Sequence, residues 1–227
     1  MVASDKAQLK SFGELFRQTR DSYTEKLQPI LALSAAVAVG TVLTALVSNG
    51  PLRFLLGFIT AIVSVLASIC YNYLLDGKTA KLELSDLVKL GASKIVPVIL
   101  TVILLTLIVV GGFILLIIPG IVFLVWFTFV TQVVIFEDKS GMQALKQSRE
   151  YVRNRWWGVF GRLILAGLVL MGLGLAFSIL VSVLAAAMGS GADVLNDIFS
   201  AFVITPLSAI FGYHLYRSAV ETHTQAK

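Results

Sequence analysis

The sequence predicts an all-α polytopic membrane protein with six transmembrane helices. Hydrophobic residues make up 57% of the 227 residues and charged residues only 14%, a balance that the core of a water-soluble protein of this size cannot hide. Residues 95–136 contain no Asp, Glu, Lys, Arg or His. As one helix this run would measure about 60 Å, roughly twice the ~30 Å hydrocarbon core, so it must fold back on itself.

Uncharged stretches define the six predicted spans. They are residues 27–52, 54–75, two spans within 95–136, 163–192, and 198–216, the last containing only His214. We predict that Pro119-Gly120 is the turn between the third and fourth spans, with a re-entrant helix break there as the alternative. The fourth span, Ile121 to Phe136, is then short, so it is tilted or extended by flanking residues.

The distribution of basic residues predicts the orientation. With six spans, both termini lie on the same side of the membrane as the second and fourth loops, and that side collects every Lys and Arg except Arg53. The positive-inside rule therefore places both termini in the cytoplasm. The opposite side holds only short turns, at residues 49–53, Pro119-Gly120 and 189–197, which are too short for an extracellular domain.

Three segments on the basic side are similar to one another. Ser11 with Glu14 forms a capping box that starts a helix, and Ser140 with Gln143 repeats it. The chain is therefore predicted to be a single integral membrane domain, residues 1–227, of three repeat-like units, each a two-helix hairpin preceded by an amphipathic interfacial helix. The units span about residues 9–75, 79–136 and 140–216, and the middle amphipathic helix has the weakest pattern.

The order of several residues is similar to that of a known family. Ile118-Pro119-Gly120 lies between two spans and Phe136-Glu137 closes the second of them. Ala144-Leu145, Ser148 and Trp156-Trp157 follow, and the two tryptophans open the next span. This order resembles the membrane domain at the N-terminus of some bacterial glycerophosphoryl diester phosphodiesterases, and related six-pass inner-membrane proteins without assigned activity. The resemblance implies a protein of the bacterial inner membrane. It assigns no catalytic residue to this chain, because catalysis in the fused enzymes belongs to a separate soluble barrel.

Basic and aromatic residues around the start of the fifth span are candidates for contacts with anionic lipid headgroups. They are Arg149, Arg153, Arg155, Trp156, Trp157 and Arg162. Each Lys or Arg near an anionic leaflet contributes about 1 kcal/mol to binding. For Arg162, we favour anchoring, in which the side chain reaches the interface beside a tryptophan belt, over specific binding of a lipid phosphate.

Three polar residues near span ends form a second set of candidates: Glu137, Gln132 and Asn72. Ionisable groups within membranes are costly and usually functional, so Glu137 is a candidate for binding a cation or a proton. Because it lies at the end of its span, a solvated carboxylate or an ion pair with an arginine is the favoured interpretation. The two amides are expected to form hydrogen bonds between helices, each worth about 0.6 kcal/mol.

The residue types and motifs of the sequence restrict the possible classes of function. No metal, cofactor-binding or catalytic motif occurs, and the single Cys70 precludes an intramolecular disulfide. The basic residues flank apolar spans, which predicts no nucleic-acid binding. The leading hypothesis is a non-enzymatic scaffold that interacts with anionic lipid headgroups, and with protein partners or a second copy of the chain. The alternative is a transporter or channel subunit for a small solute or a lipid.

Overall fold

The computed structural model describes residues 8–48, 50–79, 82–188 and 192–225, and over these residues its regular secondary structure is entirely helical. The helices are α1 (Phe12–Glu25), α2 (Leu27–Leu46), α3 (Pro51–Leu75), α4 (Leu84–Leu115), α5 (Ile117–Trp126), α6 (Val130–Glu137), α7 (Gly141–Arg153), α8 (Trp156–Met188), α9 (Ala192–Phe199), a π-helical turn (Ser200–Ile204) and α10 (Thr205–Gln225). The predicted turn residues Asn49 and 189–191 lie outside the described part of the chain.

Six helical segments of the described chain are long and apolar enough to cross a membrane. They are Leu27–Leu46, Pro51–Leu75, Leu84–Leu115, Ile117–Glu137, Trp156–Val183 and Asp193–Gln225. This confirms the prediction of an all-α chain with six candidate membrane spans. Two of the spans are interrupted helices, because the fourth joins α5 to α6 and the sixth joins α9 to α10 through the π-helical turn.

The turn between the third and fourth spans lies at Leu116, whose backbone is extended, and not at Pro119-Gly120 as predicted. Pro119 sits in the first turn of α5, where its missing N–H would have had no helical partner anyway. Gly120 is needed for packing, since a Cβ there would lie 2.5 Å from Cγ of Phe113. The fourth span therefore begins at Ile117, four residues earlier than the sequence suggests.

The predicted amphipathic segments differ in structure. Lys26 separates α1 from α2, and Asn154 with Arg155 separates α7 from α8. Helices α1 and α7 are therefore separate from the spanning helices that follow them. The middle segment instead forms the first turns of α4, which is continuous from Leu84 to Leu115. Its weaker amphipathic pattern therefore belongs to the beginning of a long spanning helix.

The chain divides into two compact units. One comprises Thr19–Ala92 and Leu165–Ile210. Within it α2 and α3 pack antiparallel: Ser34 and Tyr71 share a hydrogen bond of 2.9 Å between their hydroxyls, and Gly40 packs against Thr60. A Cβ on Gly40 would lie 2.6 Å from the Thr60 hydroxyl oxygen, so this close approach of the helices requires glycine.

The other unit comprises Met1–Gln18, Ser93–Ile164 and Phe211–Lys227. Its described part contains the beginning of α1, most of α4, all of α5, α6 and α7, the first turns of α8 and the last turns of α10. Buried apolar side chains from α6, α7 and α10 fill its interior, including Val133, Leu145 and Leu215. Every candidate residue from the sequence except Asn72 belongs to this unit.

Candidate functional site

The fourth span is interrupted between Trp126 and Val130, where α5 ends and α6 begins. The interruption leaves the Trp126 carbonyl and the Phe129 N–H without their usual helical partners. Ser148 of α7 contacts both: its hydroxyl donates to the Trp126 carbonyl at 2.8 Å and accepts from the Phe129 N–H at 3.1 Å. Ser148 is fully buried. One hydroxyl therefore satisfies both sides of the interruption.

Helix α7 makes two further contacts near this interruption. The guanidinium carbon of Arg149 lies 4.4 Å from the ring centroid of Trp126, a cation–π geometry. At the start of α7, the Gly141 N–H donates to the Thr101 hydroxyl of α4 at 2.9 Å. That N–H is one of the donors that a helix start leaves unpaired. Helix α7 is thus fixed to both α4 and the α5–α6 interruption by specific hydrogen bonds.

Glu137, at the end of α6, is the centre of a polar cluster between α6, α7 and α10. Its Oε1 accepts hydrogen bonds from the hydroxyls of Tyr151 at 2.7 Å and Tyr216 at 2.9 Å. Its Oε2 pairs with the Lys139 ammonium at 2.9 Å, and Lys139 also donates to Gln147 at 2.9 Å. Among the described residues, Glu137 therefore pairs with a lysine and two tyrosines, and the ion pair with an arginine that was one of the two favoured interpretations does not occur.

The Glu137 cluster changes the acidity of Tyr151. Burial, and then the hydrogen bond and the negative charge of Glu137, raise the pKa of the Tyr151 hydroxyl from 10.0 to about 12. Tyr151 therefore stays protonated throughout the neutral range, and its hydroxyl donates a hydrogen bond to the Glu137 carboxylate. The cluster is suited to holding α7 and α10 against the end of α6.

The two amide candidates are buried but lie in different units. The amide nitrogen of Gln132 on α6 packs against Gly212 of α10, where an added Cβ would lie 3.2 Å from it. Asn72 on α3 donates to the Ser68 carbonyl of its own helix at 2.8 Å. In the described chain the side-chain oxygens of both amides are buried without a hydrogen-bond partner.

Arg155 and Arg162 contact backbone carbonyls. Arg162 donates from Nε to the Lys10 carbonyl at 2.7 Å, from Nη2 to the Leu9 carbonyl at 2.8 Å and from Nη1 to the Gly158 carbonyl at 2.8 Å. Arg155 donates to the Thr222 carbonyl at 2.6 Å. These bonds attach the segment before α1, and the end of α10, to the start of α8.

The remaining headgroup candidates are more accessible. Arg149 and Arg153 are exposed on α7, as is Lys146. Trp157 is 77% exposed, whereas Trp156 is partly covered and stacks on Phe160 with 4.9 Å between ring centroids. Arg149, Arg153 and Trp157 are therefore exposed, although Arg149 also contacts the Trp126 ring, whereas Arg155, Trp156 and Arg162 are engaged in packing.

Sequence reasoning missed Ser148, Tyr151, Tyr216 and Lys139 as contact residues. Ser148 does occur in the sequence pattern that suggested the family resemblance, but its two partners precede it by about twenty positions, and only folding brings them together. Tyr216 is far from Glu137 in sequence, and no spacing rule connects them. In the described residues no group of three or more His, Cys, Asp or Glu side chains is placed to hold a metal ion.

Comparison with known proteins gives one match. Residues 54–225 match a family described as a domain of unknown function, DUF7847. No curated protein and no solved structure matches the chain. The matched range begins within α3 and runs through α10, so it includes α7 and all of its described contacts.

Proposed function

We propose that this chain, which belongs to the DUF7847 family of unknown function, is a non-enzymatic scaffold of the bacterial inner membrane. In this proposal both termini are cytoplasmic, the six spans form three hairpins, and α1 and α7 lie at the cytoplasmic surface. The basic face of α7 attracts anionic lipid headgroups, and partner proteins or a second copy of the chain assemble there. The resemblance to the membrane domain of glycerophosphoryl diester phosphodiesterases is part of this proposal.

The proposal rests on the difference between the buried side and the exposed side of α7. Its inner side is fixed by Ser148 and Tyr151, which are both buried. Its outer side presents Lys146, Arg149 and Arg153, all exposed. A basic surface on a helix that is held rigidly at the ends of apolar spans is suited to an anionic leaflet, where each such residue contributes about 1 kcal/mol.

Transport is the second candidate function, and the interrupted fourth span favours it, because transporters use broken helices around their substrates. In those proteins the freed backbone groups face the substrate. Here the Trp126 carbonyl and the Phe129 N–H face the Ser148 hydroxyl instead. These two backbone groups are therefore already occupied, which supports the scaffold as the better candidate function.

The test measures which lipids surround the protein. The full chain is reconstituted in bilayers of phosphatidylcholine with about a third phosphatidylglycerol, with bromine on the acyl chains of either lipid, and quenching of tryptophan fluorescence is recorded. At low salt, brominated phosphatidylglycerol is expected to quench more strongly than brominated phosphatidylcholine. Replacing Lys146, Arg149 and Arg153 by Gln should bring the two lipids close to equal quenching.

A matched variant isolates charge from side-chain shape. Arg149→Lys with Arg153→Lys keeps both charges and is expected to keep the preference for the anionic lipid. High salt should reduce the preference in this variant and in the wild type alike, because it screens exposed charges. Equal quenching by the two lipids in the wild type at low salt would overturn the proposal.

A further inference from the structure

A cleft lies where the segment before α1 meets the start of α8. Its volume is about 300 Å³, at the lower end of the ~300–1,000 Å³ range of small-ligand sites. The residues that line it are Gln8, Leu9, Arg155, Gly158 and Arg162. The cleft lies wholly within one compact unit. It is separate from the exposed face of α7, which carries the proposed function.

The walls of the cleft are fixed by hydrogen bonds. The Lys10 N–H donates to the Ser218 hydroxyl of α10 at 2.9 Å, which ties the segment before α1 to α10. The bonds of Arg162 to the Leu9 and Lys10 carbonyls tie the same segment to α8. Both guanidinium groups are thus held in place before any ligand arrives, which lowers the entropy cost of binding.

The described lining of the cleft is positively charged. Among the described residues it contains two guanidinium groups and no carboxylate. Over the described ranges, neither Arg155 nor Arg162 forms a salt bridge; the described ion pairs involve Arg20, Lys26, Lys89, Lys94 and Lys139. A guanidinium has five N–H donors. Arg162 uses three on carbonyls and Arg155 uses one, so both retain donors for another acceptor.

Gly158 provides the space between the two arginines. A Cβ at this position would lie 3.2 Å from Cδ1 of Leu9 and 3.4 Å from Nη1 of Arg162. A larger side chain would therefore project into the cleft. Gly161, one turn further along the same helix, has nothing within 4 Å of an added Cβ. The cleft thus depends on the absence of a side chain at one specific position.

We infer that this cleft binds a phosphate-bearing anion between Arg155 and Arg162, and that its source is the phosphodiester of an anionic phospholipid. Guanidinium groups suit phosphate because their planar donors match its oxygens. Trp156 and Trp157 lie between Arg155 and Gly158 in the sequence, and tryptophans concentrate at the headgroup level of a bilayer. The lipid source rests on the proposed function, whereas the recognition of phosphate rests on the cleft alone.

The experiment uses native mass spectrometry of the delipidated full chain, titrated with phosphatidylglycerol or phosphatidylcholine in detergent. The wild type is expected to retain one phosphatidylglycerol in preference to phosphatidylcholine. Arg155→Gln should raise the apparent Kd about tenfold, the loss expected for a charged hydrogen bond. Gly158→Leu should raise the apparent Kd by a similar factor, because its side chain fills the cleft. Gln at position 155 retains an amide donor for the Thr222 carbonyl, which limits the damage to folding.

Two matched controls accompany these variants. Arg53→Gln removes the same charge from an exposed position in the first turn of α3, and Gly161→Leu adds the same side chain outside the cleft. Both should leave the Kd within about twofold, since neither residue lines the cleft. Equal shifts in cleft variants and controls, or no shift in either cleft variant, would overturn the inference. Equal quenching of the wild type by the two lipids in the bilayer experiment, alongside phosphatidylglycerol retention that depends on the cleft residues, would overturn only the proposed function.

A second arm identifies the source of the phosphate. Inorganic phosphate is added to the wild type and to Arg155→Gln, and the thermal unfolding midpoint is measured. If phosphate stabilises only the wild type, and phosphatidylglycerol is not preferred over phosphatidylcholine, the cleft takes a soluble phosphate and the lipid source is wrong. Retention of phosphatidylglycerol that depends on Arg155 and Gly158 supports the lipid source.

Discussion

The fourth and sixth spans are both interrupted, but the backbone groups at the two interruptions are satisfied in different ways. In the fourth span, the helix stops and restarts, and the Ser148 hydroxyl satisfies both a carbonyl and an N–H. In the sixth, a π-helical turn accommodates the irregularity, and the Tyr23 hydroxyl of α1 donates to the Phe202 carbonyl at 2.8 Å. In each case the supporting hydroxyl comes from one of the two separate amphipathic helices.

The two interruptions differ in how many backbone N–H and carbonyl groups lose their helical hydrogen-bond partners. A π-helical turn keeps its N–H groups bonded to carbonyls five residues earlier, as Thr205 does to Ser200. A helix that stops and restarts loses bonds on both sides. An apolar environment makes each unpaired backbone group costly, because no water is present to replace the lost partner. The α7 contact should therefore carry more stability than the α1 contact.

The largest expected effect follows from Ser148→Ala. This change leaves the part-buried Trp126 carbonyl and the buried Phe129 N–H without the Ser148 hydroxyl, at about 1–3 kcal/mol for each group. We expect a loss of about 2–4 kcal/mol in the free energy of unfolding, measured by titration from mild detergent into SDS. Hydrogen exchange at the Phe129 amide should accelerate in the same variant.

Ser208→Ala is the matched control. Its hydroxyl is exposed and bonds only to the Thr205 carbonyl in the same helix at 2.8 Å. Its loss should change stability by less than about 0.5 kcal/mol. If the two variants lose equal stability, Ser148 does not support the fourth span, and the comparison between the interruptions fails.

Alkaline pH tests the tyrosine contacts of α1 and α7, because tyrosine titrates there and serine does not. Burial raises the pKa of Tyr23, and burial with Glu137 raises the pKa of Tyr151 to about 12. A raised folded-state pKa gives stability that is complete below the unfolded value of 10.0 and is lost as pH rises through the folded value. For Tyr151 the loss at about pH 11 is about 1 kcal/mol.

Tyr151→Phe tests this contribution. The variant should be less stable than the wild type near neutral pH, because the hydrogen bond to Glu137 is gone. The difference should shrink as pH rises towards about 11, since the wild type loses the same contribution by ionisation. Thermal unfolding midpoints at a series of pH values provide the measurement. A difference that stays constant over this range would show that Tyr151 does not titrate with unfolding.

The spans were predictable from sequence because their length and apolar composition are local properties. The interruption between Trp126 and Val130 was not, because Phe127, Thr128 and Phe129 include no Pro or Gly to indicate it. What stabilises it is a hydroxyl from another helix. In contrast, Pro119-Gly120 looks like a turn in sequence but lies within a helix, since proline is tolerated in a first turn.

The candidate site, too, could be predicted only in part from the sequence. The exposed positions of Arg149 and Arg153 follow from helical periodicity, which sequence alone provides. The roles of Arg155 and Arg162 do not, because their partners are carbonyls of the segment before α1 and of the end of α10. The residue types indicated only that cations gather near one end of the fifth span. Long-range folding determined which of them bind backbone and which remain exposed.

The smallest expected effect belongs to the sixth span. Tyr23→Phe removes one hydrogen bond to the Phe202 carbonyl and keeps the ring, so the loss of stability should be about 1 kcal/mol. Thr24→Ala is the control, because among the described residues the Thr24 hydroxyl bonds only to carbonyls of α1 itself. Hydrogen exchange should accelerate near residues 202–205 in the Tyr23 variant and not in the control. A loss as large as that of Ser148→Ala would mean that the π-helical turn exposes as much backbone as a full interruption, and that α1 and α7 contribute equally.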